Sequence, residues 1–290
     1  MSSKFFAYWV HQLDPFVFRF PSSFFTEGIR WYGVAYLLGL LSAYVFFNMC
    51  SRKGRSPLSV PENESFLVAI ALGILFGGRT GYVIFYDFAF WKGHPLWIFR
   101  FWEGGMSFHG AVIGIAIAIM AFSRRYSLSF LQSTDLCCAI APLGVFFGRL
   151  ANFINGELWG KVTTLPWAIR FPQSVAPLTP IAEIPPRHPS QLYEALLEGI
   201  LLFLLLQRTF WKSPSRTYGK LTADFLCFYS FVRYFAEIFR EPDAPTLYQL
   251  SRGQVLSLFL ALVGIILYAY LEVRDRRRPT NSRDDSAEGA

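Results

Sequence analysis

The sequence predicts an all-α membrane protein, a polytopic bundle of about seven transmembrane helices with a small extracytoplasmic cap. Three observations carry this expectation. The 290-residue chain is 53% hydrophobic, 18% aromatic and only 16% charged, whereas a soluble domain carries about 25% charged residues. Several apolar runs reach the roughly 20 residues needed to cross a bilayer. The basic residues fall in short clusters between those runs, as in cytoplasmic loops. The formal charge of +7 is therefore no nucleic-acid footprint, and no nucleic-acid partner is expected.

Taken in order, residues 1–28 read as an interfacial segment. Phe5, Phe6, Tyr8, Trp9, Phe16, Phe18 and Phe20 interleave with His11, Asp14 and Arg19, and such aromatics sit at headgroup level. Asp14, Pro15, Arg19 and Pro21 leave no clean apolar core, so no cleavable signal peptide is expected. Spans are predicted at 28–50, 66–86, 104 to just before Arg124, 135–154, 191–210, 221–239 and 253–271. Residues 87–103 read as an aromatic loop with Trp91, Trp97 and Trp102. Residues 155–190 differ in kind: Pro166, Pro172, Pro177, Pro180, Pro185, Pro186 and Pro189 interrupt them, and they read as a small cap over the bundle mouth. Glu241-Pro-Asp-Ala-Pro245 breaks the sixth span. The organisation expected is one integral membrane domain, 1–273, with the cap as an insertion. A basic, then polar, tail over 274–290 is expected to be disordered.

Loops after the odd-numbered spans hold Arg52, Lys53 and Arg55; Arg124 and Arg125; Lys212, Arg216 and Lys220; and Arg274, Arg276, Arg277 and Arg278. The positive-inside rule puts the C-terminus in the cytoplasm and the N-terminus outside. Cys50, Cys137, Cys138 and Cys227 lie in or beside apolar runs with no CxxC pair. Free buried thiols are expected rather than disulfides or a metal site.

The stretch that points to chemistry is Gly148–Gly160, GRLANFINGELWG. It follows the apolar run 139–147, so its first half lies at membrane depth. A charge at the centre of a span costs about 2.5–3.5 kcal/mol on insertion scales, yet the stretch holds Arg149, Asn152, Asn155 and Glu157. Arg149 and Asn152 share a helix face. Asn155 and Gly156 mark the helix end and leave Glu157 at the interface. Two readings follow: an interhelical hydrogen-bond cluster, or a site for an anionic ligand at the membrane surface.

The sixth span carries Tyr229, Arg233, Glu237 and Arg240, which fall within an arc of about 80° on one face. An intrahelical ladder, Arg233 to Glu237 to Arg240, is one reading. Within an apolar run it leaves one positive charge uncompensated, for which a bound phosphate is a natural complement. The third span opens with Gly104-Gly-Met-Ser-Phe-His109-Gly110-Ala-Val-Ile-Gly114. His109 is either a core histidine bonded to a carbonyl or a general base, and its glycines allow close approach of a backbone or lipid chain. Arg79, among Gly77, Gly78 and Gly81, is as readily structural as functional. Arg30, Trp31 and Tyr32 read first as interfacial anchors, with Tyr32 a site candidate. His188, ahead of Pro189, could cap a helix or bind, and ranks below His109. Arg149, Arg233, Arg240 and Arg79 with His109 would form a cationic pocket suited to a phospholipid headgroup. There is no HExxH, Cys cluster, GxSxG or P-loop, so no metal, ATP or other cofactor is expected.

These motifs together resemble the bacterial prolipoprotein diacylglyceryl transferases. GRLANFINGELWG is similar to that family's signature, GGMSFHGAVIG to its His-Gly-Gly motif, and RHPSQLYEA and the FREPD at 239–243 match as well. Ala111 stands where the commonest form of the second motif has another glycine. The resemblance runs from about Arg30 to Asp243. It implies an enzyme of the bacterial inner membrane, with its site toward the outer leaflet. Such an enzyme moves the diacylglyceryl group of phosphatidylglycerol onto the lipobox cysteine of a prolipoprotein signal peptide, forming a thioether and releasing glycerol phosphate. By the same resemblance, Arg149 and Arg233 would hold the phosphate and His109 would act as base. Asn152, Asn155 and Glu157 would orient the glycerol or the arginines, and Tyr32 and Tyr229 would line the site. Glu237 and Arg240 would hold the Arg233 face; Gly110, Gly114 and Gly160 would serve packing and close approach. The alternatives are a transporter of lipid or anionic solute and a membrane scaffold. No internal repeat favours the transporter, and a scaffold has no need of Arg149, Arg233 and His109 at one level.

Overall fold

The computed structural model describes residues 8–21, 27–100, 104–213, 217–242 and 249–277. Phe5, Phe6, Trp102, Arg216, Asp243, Pro245 and Arg278 lie outside them. Two short strands, β1 (Trp9–Val10) and β2 (Phe16–Arg19), precede β3 (Gly28–Arg30), which pairs antiparallel with β2. Then come α1 (Trp31–Arg52), α2 (Val60–Tyr86), α3 (Phe88–Gly93), α4 (Phe108–Arg125) and α5 (Phe130–Asn155). After the cap strands β4 (Ile169–Arg170) and β5 (Pro186–Arg187), α6 (Ser190–Glu194) runs through a π-helical stretch, Ala195–Leu201, into α7 (Leu202–Lys212). The chain continues with α8 (Lys220–Ala236) and α9 (Arg252–Arg276).

Six of these rods, with Ser190–Lys212 counted as one, are long and apolar enough to cross a membrane. Their outer faces stay apolar and exposed, as at Leu37, Ile117, Phe259 and Ile266, the arrangement of a chain whose solvent on those faces is lipid. The seventh expected span, α8, is 17 residues, or about 25 Å at 1.5 Å per residue. It ends before Glu237 because the chain is drawn into an antiparallel bridge between Arg240 and Gly160.

Local chemistry explains the boundaries. Ser59 and Glu62 close a capping box on α2, and Ser251 and Gln254 close another on α9, satisfying amide donors that have no carbonyl within the helix. Gly156 stops α5 in the left-handed conformation, φ 67°, which glycine adopts without a Cβ penalty. The glycines of α2 and α4 form a seam: a Cβ added at Gly77 would lie 2.7 Å from Gly114 Cα, and one at Gly110 2.8 Å from Gly81 Cα. At the opposite end from Asn155, the aromatic core joins α1, α2 and α4 through Phe47, Phe66 and Phe122, with ring centroids 5.6 and 4.9 Å apart.

Several expectations are corrected. The region 87–103 is helical over much of its described length, with α3 and a 3-10 turn at Pro95–Phe99. Arg79 is structural and fully buried. Its guanidinium donates to the carbonyls of Trp97 (2.8 Å), Ile98 (3.1 Å), Gly104 and Gly105 (3.3 Å), and lies 4.3 Å from the Trp97 ring centroid. It binds the turn that leads into α4, which is the structural one of its two readings. The helix α9 runs past Arg274 to Arg276, held by a Thr217 Oγ1 bond to Asp275 (2.5 Å) and the Lys220–Asp275 pair (3.1 Å). The N-terminal arm joins the cap: β1 lies parallel to β4, with Trp9 opposite Ile169 and Val10 opposite Arg170, and β4 is antiparallel to β5. Two-residue strands leave no alternation in sequence from which to predict them.

Candidate functional site

One end of the bundle collects the polar side chains. There α1 begins, α5 ends, α6 begins, α8 ends and α9 begins. The last turns of α5 carry Arg149 and Asn152 on one face, so two clusters meet on that helix.

The first cluster centres on Glu157. Its Oε1 accepts from Tyr32 Oη at 2.5 Å, Asn152 Nδ2 at 2.9 Å and Asn155 Nδ2 at 3.4 Å, and Asn152 Nδ2 also reaches the Tyr32 hydroxyl. Three donors on one carboxylate oxygen fix its direction. The Glu157 carbonyl is held by Gln191 Nε2 at 2.5 Å and the Leu158 carbonyl by Ser190 Oγ at 3.0 Å. Glu157 is thereby tied from the α6 side as well.

The second cluster is ionic. Arg149 contacts Glu194 through Nε (2.9 Å) and Glu198 through Nη2 (3.1 Å). Arg233 Nη1 meets Glu194 (2.9 Å) and Glu198 (3.0 Å), and its Nη2 meets Glu237 at 2.5 Å. Arg240 Nη1 lies 3.5 Å from Glu194. Glu237 also accepts from Ser251 Oγ at 3.0 Å. The side chains of Glu194 and Glu198 are 0% exposed, while those of Arg149 and Arg233 are 16% and 12% exposed. The carboxylates therefore stand behind the arginines. Among the described residues, Arg149 Nη1 has no hydrogen-bond partner. Glu198 falls in the π-helical stretch, a widened turn of a kind found often at functional sites.

This overturns one sequence argument. The positive charge left over on the Arg233 face is not left over: Arg149, Arg233 and Arg240 are matched by Glu194, Glu198 and Glu237. The expected rung from Glu237 to Arg240 is replaced by Arg240 to Glu194, because the helix has ended by residue 237. Counting charges on one helix missed partners supplied by another. Glu194 was in a recognised motif and Glu198 lies four residues on, both inside an apolar run. Acids at that spacing at membrane depth carry the same signal that singled out Arg149.

The remaining candidates fall into place around these clusters. Tyr229 is partly buried one turn before Arg233 and stacks on Phe225 at 5.6 Å. Gly160 has no room for a side chain: a Cβ there would sit 2.6 Å from the Phe239 carbonyl oxygen and 2.7 Å from that of His188. Its amide donates to the His188 carbonyl at 2.9 Å. His188 packs on Tyr193 and Phe239, and burial beside the Lys161 charge lowers its pKa. Gly110 belongs to the α2–α4 seam. His109, in the first turn of α4, is exposed and touches the Phe108 ring; among the described residues no hydrogen bond or ion pair joins it to the arginines.

The family model for prolipoprotein diacylglyceryl transferase matches residues 21–270. The phosphatidylglycerol–prolipoprotein diacylglyceryl transferase of Rhodospirillum rubrum is 45% identical over 247 residues, 83% of this chain and 87% of that protein. The same-named protein of Bradyrhizobium diazoefficiens is 41% identical over 261 residues, 87% of this chain and 90% of its own length. That of Rhizobium meliloti is 41% identical over 269 residues, with 88% and 90% covered.

Proposed function

Because this chain belongs to the prolipoprotein diacylglyceryl transferase family, we propose that it transfers the diacylglyceryl group of phosphatidylglycerol to the lipobox cysteine of a prolipoprotein. The observation that carries the reading is the pair of arginines, Arg149 and Arg233, mostly buried and braced by fully buried glutamates inside an apolar bundle. In the reaction, sulfur bonds to the glycerol carbon and the carbon–oxygen bond to phosphate breaks. Negative charge gathers on the departing glycerol phosphate. Guanidinium groups fixed beforehand in a low-dielectric site stabilise that charge without reorganising.

Arg149 and Arg233 meet the phosphate, Arg149 through Nη1, which has no hydrogen-bond partner among the described residues. Tyr32, Asn152, Asn155 and Glu157 form the wall that orients the glycerol. Glu237 and Arg240 brace Arg233, Tyr229 lines the pocket, and Gly160 and Gly110 allow close packing. His109 takes the thiol proton, since a thiol with pKa about 8.5 is mostly protonated at neutral pH. The domain is a single membrane unit with the proline-rich cap over its mouth. Arg52, Lys53, Arg55, Arg124 and Arg125 mark the far end as cytoplasmic, which turns the site toward the outer leaflet of a bacterial inner membrane.

The test is to incubate the purified protein with phosphatidylglycerol and a lipobox peptide and to weigh the peptide. A gain equal to one diacylglyceryl group is expected; an unchanged mass sinks the proposal. In the same assay His109→Gln is expected to lower the rate by about 100-fold, the scale of a general base. Raising the pH should recover part of it, because hydroxide then ionises the thiol. A full rate at pH 7 removes His109 from the mechanism.

A further inference from the structure

His11 lies in the N-terminal arm, ahead of the residues that match the family model. It is 1% exposed. Its amide donates to the Arg170 carbonyl at 2.9 Å, continuing the pairing of β1 with β4. Its ring sits among Trp9, Phe153 and Phe171, with centroids 5.7, 5.5 and 5.3 Å away. Nε2 is 2.7 Å from the Phe153 carbonyl oxygen. A carbonyl only accepts, so Nε2 carries the hydrogen. Nδ1 is buried with no hydrogen-bond partner among the described residues, which suits a bare nitrogen and not an N–H. The Phe153 carbonyl lies in the last turn of α5, beside Asn152 and just before Asn155. Carbonyls there lack a full set of intrahelical donors; this one accepts from both the Gly156 amide, at 3.0 Å, and His11 Nε2.

We infer that His11 is a positioning residue: it clamps the last turn of α5, and with it the Asn152–Asn155–Glu157 wall, and lets go when its imidazole is protonated. The inference rests on the reading of that wall as substrate-binding. A proton on Nδ1 would bring a buried donor with no acceptor into a cage of rings. Burial accordingly lowers the His11 pKa, against the smaller opposing effect of the Phe153 bond. The charged and titratable groups on the elements around it are otherwise engaged. Arg170 donates to the Ile181 carbonyl and lies over Tyr8, Arg149 is held by Glu194 and Glu198, and Glu157 is held by Tyr32 and Asn152. Because the docked pKa lies below the free value of about 6.5, docking is complete above pH 6.5. It weakens as the pH falls, by up to about tenfold per pH unit for one proton.

The experiment uses the full chain in phosphatidylglycerol nanodiscs with the lipobox peptide, comparing wild type, His11→Phe, His11→Gln and Asn152→Ala. His11→Phe keeps an aromatic ring but has no donor. It should raise KM for phosphatidylglycerol roughly fivefold at pH 7.5, the worth of one hydrogen bond, with kcat little changed. His11→Gln puts an amide donor near the Nε2 position and cannot become cationic. It should restore the wild-type KM and abolish the rise in KM that the wild type shows below pH 6.5. A wild-type KM in His11→Phe, or an acid limb that survives in His11→Gln, overturns the inference. If Asn152→Ala also keeps the wild-type KM, the wall itself has been misread and the clamp falls with it. If Asn152→Ala alone is impaired, only the clamp fails.

Discussion

Arg149→Ala is expected to abolish diacylglyceryl transfer while the chain stays inserted in the membrane. Two effects act together. The side chain that offers Nη1 to the phosphate is gone, and Glu194 and Glu198 lose one of the three cations that neutralise them. Breaking a buried pair by removing one member costs about 3–5 kcal/mol, and 1.36 kcal/mol is a factor of ten. A fall in kcat/KM of about 150- to 5,000-fold follows if that energy is used in the transition state. Arg149→Lys separates the two effects. A lysine keeps the charge but is a point donor, unable to span Glu194, Glu198 and a phosphate at once. It should recover thermal stability more than rate. Turnover of Arg149→Ala near the wild-type level would remove the arginine from the phosphate site.

Gly160→Ala should be the most damaging single methyl in the chain's polar end. The added Cβ would lie 2.6 Å from both the Phe239 carbonyl oxygen and His188 Cβ. These atoms are backbone or close to it, so they have no rotamer by which to escape. Overpacking of this kind costs about 1–3 kcal/mol. Here the strain falls on the junction where Gly160 bridges to Arg240, and Arg240 pairs with Glu194 behind Arg149 and Arg233. The expected result is a fall of several degrees in the melting temperature and a loss of transfer larger than that shift explains. Gly144→Ala is the matched control, since an added Cβ there meets nothing within 4 Å. Equal behaviour of the two variants would show that the junction tolerates the methyl.

Much of the fold was legible because lipid imposes one simple demand, an apolar run of sufficient length. The predicted spans fall on α1, α2, α4, α5, α6–α7, α8 and α9, with ends that differ where capping residues such as Ser59 and Ser251 extend a helix beyond its apolar stretch. Arg149, Asn152 and Glu157 stood out for the complementary reason, polarity where it is expensive. What stayed hidden was pairing between distant segments. Glu194 and Glu198 neutralise arginines on α5 and α8, and nothing in the local sequence of α8 announces that. Arg79 reads as either structural or functional from the sequence, and its four carbonyl acceptors favour the structural reading. His11 could not be singled out at all, because its partner is a main-chain oxygen more than a hundred residues away and carries no side-chain signature.

The matching of Arg149, Arg233 and Arg240 by Glu194, Glu198 and Glu237 also bears on turnover. A phosphodiester such as phosphatidylglycerol carries one negative charge, and the phosphate monoester it leaves carries about 1.5 to 2 at neutral pH. A pocket with surplus cations would grip the product more tightly than the substrate and stall on it. In a pocket already balanced by its own carboxylates, the extra charge of the product finds no spare cation. On the proposed reading of this site, glycerol phosphate, freed of its acyl chains, would then leave toward water while the next lipid, anchored by its tails, enters.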